Sequence, residues 1–376
     1  MSNRKFLFFY LNTGAGHRAA ANVLAEAMQE QNPAVEIKKL SGFRSRRLGS
    51  LIFEKGYSSS TNYFQGAFPI VYDLGKHNWL QSGLKHILGP ETRTYLRKVI
   101  RKEHPTDIVC FHFAVTPFLK DVLKNIPWKI NLTVIVTDPF TVPYPWFYEK
   151  DVSYMVYSEK AKKIAVNECH VPEQNVQVIP FLMNKKFRMP VTEEEKKALR
   201  IKHGFSPDKK IVLLVGGGEG LPGATEIINN CILHRAKFAV AVVCGRDKVK
   251  QKNLSLLSKA NPFVDLHVFG FIDYLDELVK ICDCAVIKAG PATLMEVLAC
   301  RKPVIICKYI HNQELGNMHF AVRNKVGYFI RKPRDIYRKI NELLSDRSFD
   351  VNMKHRFDSV VLDTDASDVA RILLSK

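Results

Sequence analysis

Long apolar runs are missing from this chain. Nowhere in its 376 residues do apolar positions approach the roughly 20 in succession that a membrane-crossing helix needs. The run Phe6–Leu11 is too short for the core of a secretory signal, and no small-residue cleavage site follows it. The eight cysteines are scattered, and the only close pair, Cys282 and Cys284, lacks the two-residue spacing of zinc and redox motifs. The expectation is therefore buried thiols in a reducing cytoplasm and no structural metal. The Gly-Lys-Ser/Thr ending of a Walker phosphate loop is absent as well. Acidic residues are scarce: 37 Asp and Glu face 56 Lys and Arg, a net charge of +19. Such an excess draws a protein to polyanions, either nucleic acid or the anionic face of a membrane. No nucleic-acid recognition module accompanies it, so nucleic acid is not expected as a partner.

What the chain does have is strand–helix alternation, twice over. Lys5–Leu11, Val35–Leu40, Ile108–Phe111, Ile130–Thr137, Val152–Tyr157 and Val176–Ile179 read as strands with helices between them. The pattern restarts at Ile211–Val215 and continues through Phe238–Cys244, Leu266–Phe269, Cys284–Ile287 and Val304–Cys307. Strands alternating with helices form parallel sheets. The expected fold class is α/β, with two Rossmann-like domains whose sheets face one cleft. The boundaries read as 1–187 and 211–355, joined by a polar connection at 188–210, with a C-terminal helix within 356–376 returning to the first domain. Between Ser41 and Gly89 the alternation breaks into a mixture of basic and aromatic residues, including Arg44, Arg47 and Phe53.

Three turns carry chemistry. Gly14-Ala15-Gly16-His17-Arg18-Ala19 meets the loosest form of the dinucleotide fingerprint, but Glu36, the only acid near the expected ribose position, comes too early in its strand. The turn instead brings His17 and a helix N-terminus toward a ligand, and a histidine there can accept a proton near neutral pH. The second turn, VGGGEG with Gly217 and Gly218, lets a ligand approach the backbone closely. The third is the most specific. Lys288-Ala289-Gly290-Pro291-Ala292-Thr293 leads from a strand into a helix, an arrangement suited to a diphosphate, with Glu296 one turn on to accept a ribose diol. Gln313, Glu314 and Asn317 follow the next strand and suit sugar hydroxyls.

The stretches GAGHRAAA, VTDPFTVPYPWFYEKDVSYMVYSEKAKKIA, GGGEG, KAGPATLMEVL and HNQELGNMHFAVRNKVGYF resemble the monogalactosyldiacylglycerol synthase and diacylglycerol glucosyltransferase family. More distantly they resemble the N-acetylglucosaminyltransferase of the peptidoglycan lipid precursor. The resemblance implies a GT-B fold and an inverting glycosyltransferase. It implies a UDP-hexose donor (UDP-glucose or UDP-galactose), no tightly bound cofactor or metal, and a diacylglycerol acceptor. By position, Gly290, Thr293 and Glu296 would hold diphosphate and ribose, and Gln313, Glu314 and Asn317 the hexose and nearby phosphate. His17 matches the family's base or acceptor-orienting histidine, and Asp138 is the rival base. Gly16, Arg44, Arg47, Phe53, Tyr144 and Trp146 fall on the acceptor and membrane side. The positive charge would hold the enzyme peripherally on anionic phospholipid at the cytoplasmic membrane face. Ala15 and Ala292 stand where the family often has glycine, and HNQE replaces a usual proline-glycine start, which leaves the choice of sugar open. The competing readings are transfer to a polyprenyl or soluble acceptor, and UDP-sugar 2-epimerisation.

Overall fold

The computed structural model describes residues 4–11, 15–43, 78–311, 313–345, 349–360 and 362–375. The side chains of residues 15, 78–88 and 349–351 are outside that description. Arg44, Arg47 and Phe53 therefore lie outside the described residues.

The chain forms two compact units. The first comprises Met1–Met183, Ile310–Gly316 and Asp363–Lys376; the second comprises Asn184–Tyr309 and Asn317–Leu362. In the first, β1 (Lys5–Tyr10), β2 (Glu36–Ser41), β3 (Asp107–Cys110), β4 (Asn131–Ile135), β5 (Ser153–Val156) and β6 (Val176–Val178) make one six-stranded sheet. Its order is β2-β1-β3-β4-β5-β6, and all pairings are parallel.

The period-two rule explains how this sheet is covered on both faces. Leu7, Phe9 and Leu11 point to one side and pack with Leu96, Ile100 and Phe118. Phe6 and Phe8 point to the other, against Ala21, Leu24 and Met28 of helix Ala15–Gln31. Val369, Ala370 and Leu373 of the last helix, Ala366–Ser375, complete that second face. Arg4 fastens this helix by donating to the carbonyls of Leu373 and Leu374, each at 2.9 Å.

The second unit repeats the plan with β7 (Ile211–Val215), β8 (Ala239–Val243), β9 (Leu266–Phe269), β10 (Cys284–Lys288), β11 (Val304–Lys308) and β12 (Gly327–Phe329). The order β12-β11-β10-β7-β8-β9 is again wholly parallel. Residues 188–210, read from sequence as a connection, fold with this unit. Helix Glu193–Lys202 is closed by a capping box of Thr192 and Glu195. Its buried Arg200 donates to the Ile281 carbonyl and pairs with Asp283 at 3.1 Å. A polar sequence hid this role because the one buried side chain of that helix is itself charged.

All eight cysteines are free thiols, six of them buried. Among the described residues no helix is long and apolar enough to cross a membrane.

Glycines fix the turn after β7. A Cβ at Gly216 would stand 2.3 Å from the Gly220 carbonyl oxygen. Gly245, at φ +61°, lies so close to Gly218 that a Cβ would meet its oxygen at 2.3 Å. Gly217 has φ +80° but open space around it. Gly217→Ala should thus cost only the left-handed backbone penalty, about 1–2 kcal/mol. Gly245→Ala adds a backbone collision and should cost clearly more. Urea unfolding of the two variants checks the order.

Candidate functional site

Parallel strands deliver all their following turns to one edge, where ligands of such sheets bind beside the point at which strand order reverses. In the first unit that point lies between β1 and β3. Helix Ala15–Gln31, which carries His17 in its first turn, follows β1, while Phe111 and His112 follow β3, and Thr137 and Asp138 follow β4. The strand registers bring these turns together. His17 Nδ1 lies 2.8 Å from the Thr137 hydroxyl, and its ring centroid is 4.7 Å from that of His112.

Trp146 is the hub of the group. Its ring stands 6.2 Å from both histidines, and its indole N–H donates to Asp138 Oδ2 at 2.7 Å. It is 1% exposed and packs in the core with Val142 and Phe147. Trp146 therefore cannot be a membrane-facing residue: its apolar ring is already buried, and its one polar atom is committed to Asp138. The adjacent Tyr144 is 40% exposed and donates to Glu168 at 2.7 Å. Gly16 is half-buried, with no neighbour within 4 Å of a Cβ placed there.

Burial sets the proton chemistry of this cluster. Desolvation lowers the His17 pKa to about 4, against a weaker opposing hydrogen bond with the Phe111 backbone. Desolvation, aided by His17, holds His112 well below the usual histidine range. His112 Nδ1 accepts the Ala114 N–H at 3.2 Å, which places the ring proton on Nε2 when the ring is neutral. Desolvation pushes Asp138 up to about 6; the bonds from Trp146 and from Gln313 Nε2, at 3.3 Å, oppose it, and the Glu314 carboxylate adds to it. Glu314 is itself buried and accepts the Ile310 N–H at 2.8 Å. The turn Ile310–Gly316 sits close to residues 140–141, so that a Cβ at Gly316 would meet Thr141 Oγ1 at 2.3 Å.

In the second unit the strand order reverses between β7 and β10, and the turns following those strands are Gly216–Gly220 and Ala289–Gly290. Helix Pro291–Ala299 starts at N-cap Gly290, with Pro291 in the first turn and no capping side chain. Its first N–H groups are left for an outside acceptor. Thr293 is buried in that turn, and the carboxyl of Glu296 is pushed up to about 7 by desolvation and by the Asp276 carboxylate. Asn317 is 1% exposed and donates to the Ala289 carbonyl at 2.9 Å, bracing the turn before the helix.

Sequence reasoning missed His112, Thr137 and Asp276. His112 had a visible signal, a polar residue directly after a buried strand. The other two show only when their neighbours are known.

Residues 195–359 match the family model described as Glycosyl transferases group 1. That stretch, in the second unit apart from Ile310–Gly316, is what the chain shares with group 1 glycosyltransferases. Over its full length the chain is similar to a processive diacylglycerol beta-glucosyltransferase of Bacillus cereus. The two are 27% identical over 398 residues, covering 100% of this chain and 95% of that one. Among solved structures it resembles an Anabaena protein in complex with UDP and glucose, with TM-score 0.60, 11% identity and coverage of 99% and 98%. A putative UDP-N-acetylglucosamine 2-epimerase from Listeria monocytogenes is equally similar, with TM-score 0.60, 11% identity and coverage of 100% and 95%. At such identities the likeness concerns the fold, which is GT-B with two Rossmann-like domains.

The buried carboxyl gives a pH test. Asp138 titrates at about 6 in the folded protein and near its ordinary 3.8 when unfolded. The folded state therefore holds the extra proton between those values, and its stability falls as pH rises through that window. A shift of that size is worth roughly 3 kcal/mol. Asp138→Asn lacks the titration, so its stability relative to the parent should rise by up to that amount between pH 4 and pH 8, as read by urea unfolding at each pH.

Proposed function

We propose that this glycosyltransferase moves glucose from UDP-glucose to the free hydroxyl of diacylglycerol, with inversion at the anomeric carbon. The observation that carries the reading is the full-length likeness to proteins named processive diacylglycerol beta-glucosyltransferase. A β-linked product from an α-linked sugar nucleotide requires inversion, and so a base for the acceptor proton. Fold likeness does not separate transferase from epimerase, since both kinds of neighbour match equally.

The donor half of the reaction is assigned to the second unit. The open first turn at Gly290–Thr293 takes the diphosphate, and Glu296 takes the ribose diol, with Gly217 and Gly218 allowing close approach. Gln313, Glu314 and Asn317 are assigned to the hexose and nearby phosphate. Charge developing on the leaving UDP is met by the helix N-terminus.

The acceptor half is assigned to the first unit. His17 is neutral at pH 7 and half-exposed, so it can meet an acceptor hydroxyl and take its proton, a contribution of about 10²–10⁴ in rate. Asp138 is 4% exposed, with each carboxylate oxygen already accepting a hydrogen bond. It is better placed to fix Trp146 and Gln313 than to touch substrate.

Incubation with diacylglycerol vesicles and each UDP-sugar in turn, followed by identification of the lipid product, tests the reaction. A glucolipid is expected; turnover of UDP-sugar with no lipid present would instead indicate an epimerase. His17→Ala should lower kcat at least a hundredfold with UDP affinity nearly unchanged. The pH dependence identifies the base. With His17, kcat/KM stays level down to about pH 5 and falls toward pH 4. A fall through pH 6 would assign the role to Asp138.

A further inference from the structure

Helix Lys248–Ala260 links β8 to β9 in the second unit. Leu254 is buried in the core of that unit, and Leu257 packs against the core. The opposite face is open: Val249 is 71% exposed and Leu256 57%. These two are seven residues apart, so they lie on one stripe two turns apart. Lys248, Lys252 and Lys259 are exposed on the same helix, whose sequence KVKQKNLSLLSKA contains no acid. The N-cap carboxylate, Asp247, is occupied by Lys250, through its ammonium at 3.0 Å and its backbone N–H at 2.8 Å. Among the described residues no carboxylate pairs with Lys248, Lys252 or Lys259.

Exposed aromatic rings follow the helix, each beneath a guanidinium. Phe271, 60% exposed, lies 5.0 Å from that of Arg246, which also approaches Glu219 at 3.9 Å. Phe263, 53% exposed, lies 4.7 Å from that of Arg235.

Apolar side chains left in water amid unpaired cations describe a surface suited to the headgroup zone of an anionic bilayer. We infer that this face of the second unit seats on anionic phospholipid, with Val249 and Leu256 entering the headgroup region and Lys248, Lys252 and Lys259 meeting the phosphates. The inference rests on the reading of the chain as an enzyme whose acceptor is dissolved in a membrane. It locates a contact separate from the basic-aromatic stretch 41–89, where sequence alone placed it.

The test uses the full chain and sedimentation with phosphatidylcholine vesicles, with and without phosphatidylglycerol. Binding should require phosphatidylglycerol and weaken with salt. The double variants Val249→Glu/Leu256→Glu and Lys252→Glu/Lys259→Glu should each partition about tenfold less or weaker still, with UDP affinity and urea unfolding unchanged. Leu256→Trp should gain a blue-shifted emission component on phosphatidylglycerol vesicles only. Parental binding by both double variants overturns the surface and leaves the proposed reaction untouched. No vesicle binding by the parent also overturns it, and glucosylation of detergent-dispersed diacylglycerol then reports separately on the reaction. Self-association that Leu256→Glu abolishes, without vesicle binding, assigns the face to a second copy and overturns the lipid reading.

Discussion

Every strand in each sheet runs the same way, and the remaining architecture follows from that. A parallel pair cannot be closed by a tight turn; each connection must cross the sheet, and a helix is the compact way to do so. Both faces of each sheet are then covered, which is why Phe6–Phe9 are all fully buried. All strand ends of one sense meet at one edge. His17, His112 and Asp138 come from three separate segments, and no local signal links them. They become neighbours because β1, β3 and β4 are paired in register.

Much of the fold was legible because buried parallel strands are nearly continuous apolar runs. β7 at Ile211–Val215 and β9 at Leu266–Phe269 fall as the sequence suggests, and the ends of the other expected strands move by no more than two residues; β12 (Gly327–Phe329) was not foreseen. Less was legible where polarity and burial part company. Residues 188–210 look solvated, yet Arg200 is buried on the carbonyl of Ile281. Trp146, within a proline-aromatic loop, looks like a surface anchor, yet its ring fills the core and its N–H is taken by Asp138. A sequence gives residue type; whether a tryptophan covers a core or meets a lipid depends on what stands opposite it. His112 did carry a signal, a polar residue directly after a buried strand, but its pairing with the His17 ring 4.7 Å away shows only in the structure.

His17, His112 and Asp138 share one electrostatic condition. Withdrawal from water disfavours charge on all of them, lowering the histidines and raising the aspartate. Two neutral imidazoles can lie side by side where two imidazolium ions would repel each other. A carboxyl beneath an indole N–H keeps its orientation without an ion pair. Glu296 shows the same effect in the second unit, where the nearby Asp276 adds like charge to the cost of burial.

The last helix of the chain covers the sheet built by its first strands, and the turn Ile310–Gly316 also belongs to that first unit. Neither unit is one uninterrupted stretch of polypeptide. During synthesis the first sheet emerges with Phe6, Phe8, Ile135 and Met155 still awaiting Val369, Ala370 and Leu373. One apolar face thus stays incomplete until helix Ala366–Ser375 leaves the ribosome. Completion of the first unit is thereby tied to translation of the second, and a chain truncated before Ala366 would be left with an open hydrophobic surface.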